Sequence, residues 1–187
     1  MARKKQYIEQ EVLEKAMHLF WRNGYENTSI RMLEKEMGIN QFSIYASFGS
    51  KQGVFLQSIK AYNKKIQGIT DKLEKSQNGV EGIKQYFKDF LEFAKEDDLS
   101  KGCMVTNTVN ELGKDADPLV MSELKKFADN IKSLFVNNLK QDRNKNAETI
   151  ERQANFLMNS ILGLSVASKM FNDKQLEDSI ETVFLNI

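Results

Sequence analysis

The chain has 187 residues, of which 41% are hydrophobic and 28% charged, with a formal net charge of +1. That length and composition suit one folded domain or a small and a medium one, and exclude a disordered or collagen-like chain. No apolar run approaches 18 residues and no apolar stretch follows the basic start Met1–Lys5, so neither a membrane span nor a secretory leader is expected, and the protein is assigned to the cytoplasm. The near-neutral total hides a gradient. Residues 1–65 hold 11 Lys/Arg against 6 Asp/Glu, while the remainder holds 16 against 20. A basic front joined to an acidic back suits a chain whose N-terminal part meets phosphates. One cysteine, Cys103, excludes an internal disulfide. With one histidine, His18, the usual Cys/His zinc site cannot be built within the chain. No cofactor is expected.

A single proline and helical periodicity nearly throughout predict an all-α fold of about nine helices. The first helix is expected over Ile8–Asn23, stopping at Gly24, and the second from Asn27-Thr28 to Met37-Gly38. A short third follows Asn40 to about Phe48. Ser50 then caps a long fourth to about Lys75, with Phe55, Ile59, Tyr62, Ile66, Ile69 and Leu73 on one face. After the Ser76–Gly79 break a fifth helix carries Val80 to Ala94. A sixth runs from Cys103 to about Leu112, and Asp117-Pro118 opens a seventh to about Lys140. The eighth spans about Ala147–Phe171, and Asp173 opens the ninth. Two domains are expected: a three-helix head over 1–50 and a helical ligand-binding and dimerisation domain over 51–187.

Residues 28–48 have the helix-turn-helix plan: a helix, a tight turn at Gly38, and a short second helix. Ile30, Leu33 and Met37 face inward, Ile39 fills the turn, and Ile44 and Phe48 anchor the second helix. Its outer side is left with Asn40, Gln41, Phe42, Ser43, Tyr45 and Ser47, mostly uncharged hydrogen-bonding groups of the sort that read base edges. Arg3, Lys4 and Lys5 form a basic arm, read either as following a DNA backbone or as a solvated tail. His18 reads as structural or solvent-facing, and Trp21 and Tyr25 as core of the head.

These residues resemble a known family. Ala16, Leu19-Phe20, Gly24-Tyr25, Thr28-Ser29-Ile30, Leu33, Gly38-Ile39, Ile44-Tyr45, Phe48, Ser50-Lys51 and Val54-Phe55 are in register with the N-terminal signature of TetR/AcrR repressors. The resemblance covers about residues 8–60. It implies a DNA-binding head, a palindromic double-stranded DNA operator, a small-molecule inducer, and a homodimer built on the last two helices. Thr28 and Ser29 become a phosphate-binding helix start, Tyr45 a backbone contact, and Lys51 a phosphate contact. Phe42 departs from the pattern, since a small residue is usual there; it is read either as packing on a thymine methyl or as buried. Ser47 departs too, standing where His or Tyr commonly touches the backbone. In the last two helices Gly163, Leu164, Ala167, Ile180 and Phe184 are the expected dimer contacts, with packing against the chain's own core as the alternative.

The segment Gly102-Cys103-Met104-Val105-Thr106-Asn107-Thr108-Val109-Asn110-Glu111 is similar to the Gly-Cys-x-x-x-Asn-x-x-x-Glu stretch of NemR-like and AcuR-like members. The resemblance implies Cys103 as a sensor of electrophiles or oxidants, with Lys169 as a basic partner, or else a regulator answering noncovalent ligands. A cysteine at a helix start with Lys101 nearby is in the setting where thiols react. A small apolar plug is the competing reading. Phe87, Phe90, Phe93, Phe127 and Phe135 of helices five and seven, with Met104, Met121 and Met158, are read either as an apolar pocket or as plain core. A nucleophilic enzyme would need a base for Cys103, and His18 is 85 positions away in the head. A helical adaptor that does not bind DNA is the remaining alternative.

Overall fold

The computed structural model describes residues 7–95, 101–113, 116–185 and 187, and among them there are nine α-helices and no strand. They are α1 (Glu9–Asn23), α2 (Ile30–Met37), α3 (Gln41–Phe48), α4 (Lys51–Glu74), α5 (Val80–Ala94), α6 (Met104–Leu112), α7 (Pro118–Leu139), α8 (Ala147–Ala167) and α9 (Asp173–Phe184). The chain forms two compact units: residues up to Lys65 with Asn107–Leu124, and Ile66–Thr106 with Lys125–Ile187. The helix-turn-helix segment expected within 1–50 lies wholly in the first unit, which also takes in the first part of α4 and most of α6. The basic arm Arg3–Lys5 and residues 96–100, between the fifth and sixth helices, lie outside the described residues.

Helix boundaries follow local chemistry. Gly24 and Gly38 take positive φ just past α1 and α2 and donate to the Phe20 and Glu34 carbonyls, satisfying groups left open at a helix end. Asn40, Asn146 and Asn172 cap α3, α8 and α9, each side chain accepting from the N–H three residues on. Each such cap is worth about 1 kcal/mol. Asp117 accepts from Leu119 N at 2.8 Å ahead of Pro118, and Ser50 Oγ accepts from Gly53 N at 3.0 Å at the start of α4. The eighth helix is shorter than the periodicity suggested. It closes at Ala167, where Ser168 turns its hydroxyl onto the Ser165 carbonyl at 2.9 Å and the backbone leaves the helix in a run of turns.

In the first unit the core gathers aromatic rings. Phe20 meets Phe55 edge-on at 4.9 Å, and Trp21 meets Tyr62 at 5.1 Å. Trp21, Phe20, Phe55 and Tyr62 are all buried, so α1 is fastened along α4 by large apolar faces. Leu33, Met37 and Ile44 fill the space beneath α2 and α3.

The core of the second unit is also aromatic. Tyr86 and Phe87 of α5 meet Phe135 of α7 at 5.5 and 6.0 Å, and Phe184 of α9 meets Phe87 edge-on at 5.2 Å. Phe87, Phe90, Phe135 and Met104 are almost wholly buried and pack as core, whereas Phe93, Phe127 and Met158 are half-buried and Met121 is exposed. The buried amide of Asn138 donates to the Leu73 and Leu134 carbonyls at 3.1 and 3.0 Å, tying the end of α4 to α7.

Candidate nucleic-acid interface and cysteine cluster

Two helix starts in the first unit hold residues expected to contact DNA. At the first of them Thr28 faces inward. It is fully buried, and its hydroxyl donates to the Gly24 carbonyl at 2.6 Å, closing the α1–α2 turn. Ser29 caps α2 instead, its Oγ accepting from Met32 N at 3.2 Å, and it is exposed. At the second start, Asn40 Oδ1 accepts from Ser43 N at 2.9 Å, so this side chain holds α3 in shape. The Gln41 main-chain N–H donates to the Glu34 carboxylate, which fastens α3 to α2 and leaves the Gln41 side chain exposed.

Along α3, Ile44 alone is fully buried. Phe42 is 82% exposed, which excludes the reading in which it is buried. Tyr45 is exposed beside it, while Ser43 and Ser47 are half-buried.

Their partner is Tyr7, a residue the sequence reading passed over. Its hydroxyl lies 2.7 Å from Ser47 Oγ and donates to the Ser43 carbonyl at 3.3 Å. The chain just before α1 is thereby tied to the reading helix. Nothing in the local pattern announces this beyond an aromatic residue next to a basic arm.

Lys51 opens α4. Its Nζ stands 4.3 Å from the centroid of the Tyr25 ring, a cation–π contact. Tyr25 in turn packs on Phe55 at 4.8 Å. Burial, then the charges of Glu26 and Asp117, push the Tyr25 phenol above its ordinary range, so it stays a neutral ring and donor.

The second unit brings Cys103 and Lys169 together. Cys103 directly precedes α6 and is only 5% exposed, and its main-chain N–H donates to Ser165 Oγ at 2.8 Å. Gly102 beside it has φ +63, and a Cβ there would lie 2.7 Å from the Ser165 carbonyl oxygen and 2.9 Å from Lys169 Cε. Only glycine permits that approach of the chain to the end of α8. Lys169 sits in the turn that follows α8, not within the helix as expected. Burial holds its ammonium below the usual lysine range, and the Cys103 sulfur acts in the opposite direction. Burial, and secondarily Cys103, drives the Tyr86 phenol far upward. Cys103, Lys169, Tyr86 and Ser165 thus form one cluster, of which Tyr86 and Ser165 had no sequence signal.

The expected dimer contacts divide. Leu164 and Ile180 are buried within the single chain, at 5% and 1% exposure, and Phe184 lies on Phe87. Leu164 and Ile180 belong to the chain's own core, and Phe184 is half-buried against it. Gly163 is exposed with open space above it, and Ala167 is half-exposed. Around them α8 presents Phe156, Leu162 and Val166, each more than 40% exposed, and Met170 and Phe171 continue the apolar surface past its end. No helix among the described residues is long and apolar enough to cross a membrane.

Residues 12–57 match the family model described as bacterial regulatory proteins, tetR family. The chain is 26% identical to an uncharacterized HTH-type transcriptional regulator, YezE of Bacillus subtilis, over 97% of this chain and 96% of YezE. It is 29% identical to the HTH-type transcriptional repressor ComR of Escherichia coli, over 61% of this chain and 55% of ComR. Among solved structures, a cysteine mutant of the TetR family regulator CifR in complex with 26 bp operator DNA superposes with TM-score 0.85 at 26% identity, over 98% of both chains. The reduced form of E. coli NemR shares the fold, with TM-score 0.80 at 20% identity over 93% of both chains. Nine helices in this order among the described residues, a helix-turn-helix with an exposed outer face, and these likenesses together make the chain similar over its length to TetR family transcriptional regulators, whose family model its residues 12–57 match.

Proposed function

We propose that this protein is a homodimeric repressor that binds a palindromic double-stranded DNA operator through α3 and releases it on an inducing signal. The observation that carries this reading is the face of α3: Gln41, Phe42 and Tyr45 exposed on a helix whose own backbone and inner side are otherwise satisfied. Gln41 reads a base edge, Phe42 a thymine methyl, and Tyr45, Ser29 and Lys51 contact phosphates. Arg3–Lys5 add counterion-releasing charge. The likeness to CifR, solved in complex with double-strand operator DNA, supports DNA binding by this chain. Selection of genomic duplexes by the purified protein tests it: enrichment of a two-fold symmetric motif is expected, and recovery of no motif would sink the reading.

The dimer uses the exposed stripe Phe156, Leu162, Gly163, Val166 and Ala167 of α8, because contiguous apolar surface of this kind marks an interface. For the signal, the Cys103–Lys169 neighbourhood supports an electrophile or oxidant acting on the thiol. A second reading, a noncovalent apolar inducer with Cys103 as packing, is favoured by the burial of that cysteine. A Cys103→Ser protein separates them. Retained operator binding with lost response to electrophiles supports the first, and an unchanged response to every electrophile and oxidant supports the second.

A further inference from the structure

The turn between α1 and α2 is gripped by a residue far away in sequence. Glu111, in the last turn of α6, accepts from Tyr25 N through Oε2 and from Glu26 N through Oε1, each at 2.8 Å. Both carboxylate oxygens engage consecutive amides, which fixes orientation as well as distance, and charge-assisted bonds of this kind are the strong ones. Gly24 makes room for the grip. Its φ is +80, and a Cβ there would stand 2.5 Å from a Glu111 oxygen.

The residue held this way carries Lys51. Glu111 sets the backbone of Tyr25, Phe20 and Phe55 hold its ring at 6.2 and 4.8 Å, and the ring holds the Lys51 ammonium at 4.3 Å. An aromatic face orders a lysine without neutralising it, whereas a carboxylate partner would compete with an incoming phosphate. A long side chain already ordered loses less rotamer freedom when it binds.

We infer that Glu111 is a positioning residue for DNA binding: through Tyr25 it presents the Lys51 ammonium to a backbone phosphate. The inference rests on the DNA-binding reading above. It makes Glu111 and Gly24 determinants of affinity for every sequence alike, although neither touches nucleic acid.

The test uses the full-length protein and a mixed-sequence duplex of about 30 base pairs titrated at several salt concentrations. Lys51→Ala should lower the slope of log affinity against log salt by about 0.9, one phosphate contact. Glu111→Ala should weaken binding roughly three- to tenfold with a similar loss of slope. Glu111→Gln, which keeps one acceptor oxygen, should fall between. The Lys51→Ala/Glu111→Ala double variant should bind no more weakly than Lys51→Ala alone. A readout in the free protein guards against a folding defect: the methyl NMR signal of reductively dimethylated Lys51 should be ring-shifted by Tyr25, and should move toward the free-lysine position in Glu111→Gln. Additive losses in the double variant, or an unmoved methyl signal, overturn the inference while leaving DNA binding intact. A wild-type protein that binds no duplex overturns the DNA-binding reading and this one with it.

Discussion

The Tyr7 hydroxyl stands 2.7 Å from Ser47 Oγ, so the segment ahead of α1 is bonded to the reading helix. Serine is too short to reach far from α3, and Tyr7 supplies the bulk at that end. Tyr7→Phe removes the hydroxyl from both Ser47 and the Ser43 carbonyl. The expected cost is about 0.5–1.5 kcal/mol of head stability. Operator affinity should fall with it, because the α3 end loses its brace. Thermal melting and DNA titration of the same sample check this, and an unchanged affinity would show that Tyr7 braces nothing the DNA reads.

The reading face separates specificity from affinity. Gln41→Ala should reduce discrimination between the selected motif and a scrambled duplex by about 1–3 kcal/mol. Phe42→Ala should relax preference at one thymine position, since its exposed ring leaves the head core untouched when removed. Competition titrations with single-base variants of the selected motif measure both. Equal weakening on all duplexes would assign Gln41 and Phe42 to the backbone instead.

Assembly is expected at twice the 21.5 kDa chain mass. Leu162→Glu and Val166→Glu place a charge on the exposed α8 stripe, and should give a folded monomer with much weaker DNA binding as the two heads lose their linkage. Leu164→Glu, two positions from each, should instead unfold the protein, because that side chain is already buried in its own core. Light scattering and circular dichroism on the three variants distinguish interface from core. A wild-type monomer at micromolar concentration that still binds a palindrome tightly would contradict the dimer.

For the cysteine cluster, burial of Cys103 predicts that reagents reach it through opening of the surrounding packing. Gly102→Ala should clash with the Ser165 carbonyl and Lys169 and loosen that packing, so alkylation of Cys103 should speed up several-fold or more relative to the parent protein. Lys169→Ala should blunt the response to electrophiles if the ammonium assists the thiol. Timed alkylation followed by intact-mass measurement reads both variants. No change in rate for Gly102→Ala would mean that access does not run through this junction.

Much of the architecture was legible in the chain itself. Breakers and caps are local chemistry, so Gly24, Gly38, Asn40, Ser50 and Asp117-Pro118 announced helix ends that the structure keeps. The exposed row on α3 followed from helical periodicity once Ile44 was taken as its anchor. The end of α8 did not follow, because apolar periodicity runs on through Met170 and Phe171 while the backbone turns at Ser168.

The sequence by itself determined an all-helical chain, its breaks, and a helix-turn-helix whose second helix leaves a mostly uncharged outer face, since each depends on neighbours within a few residues. Which apolar residues of α8 and α9 are spent inside and which remain for a partner was decided only by tertiary packing: Leu164 and Leu162 look alike to any periodic pattern, yet one is buried and the other exposed. The same holds for the bonds that cross the chain. Tyr7 on Ser47, Glu111 on the Tyr25 backbone, and Lys169 beside Cys103 join residues about 40 to 85 positions apart, and no spacing rule reaches that far. Those pairings exist because buried rings and close glycine contacts set the helices at fixed distances, and side-chain chemistry then acts between atoms that packing has brought within reach.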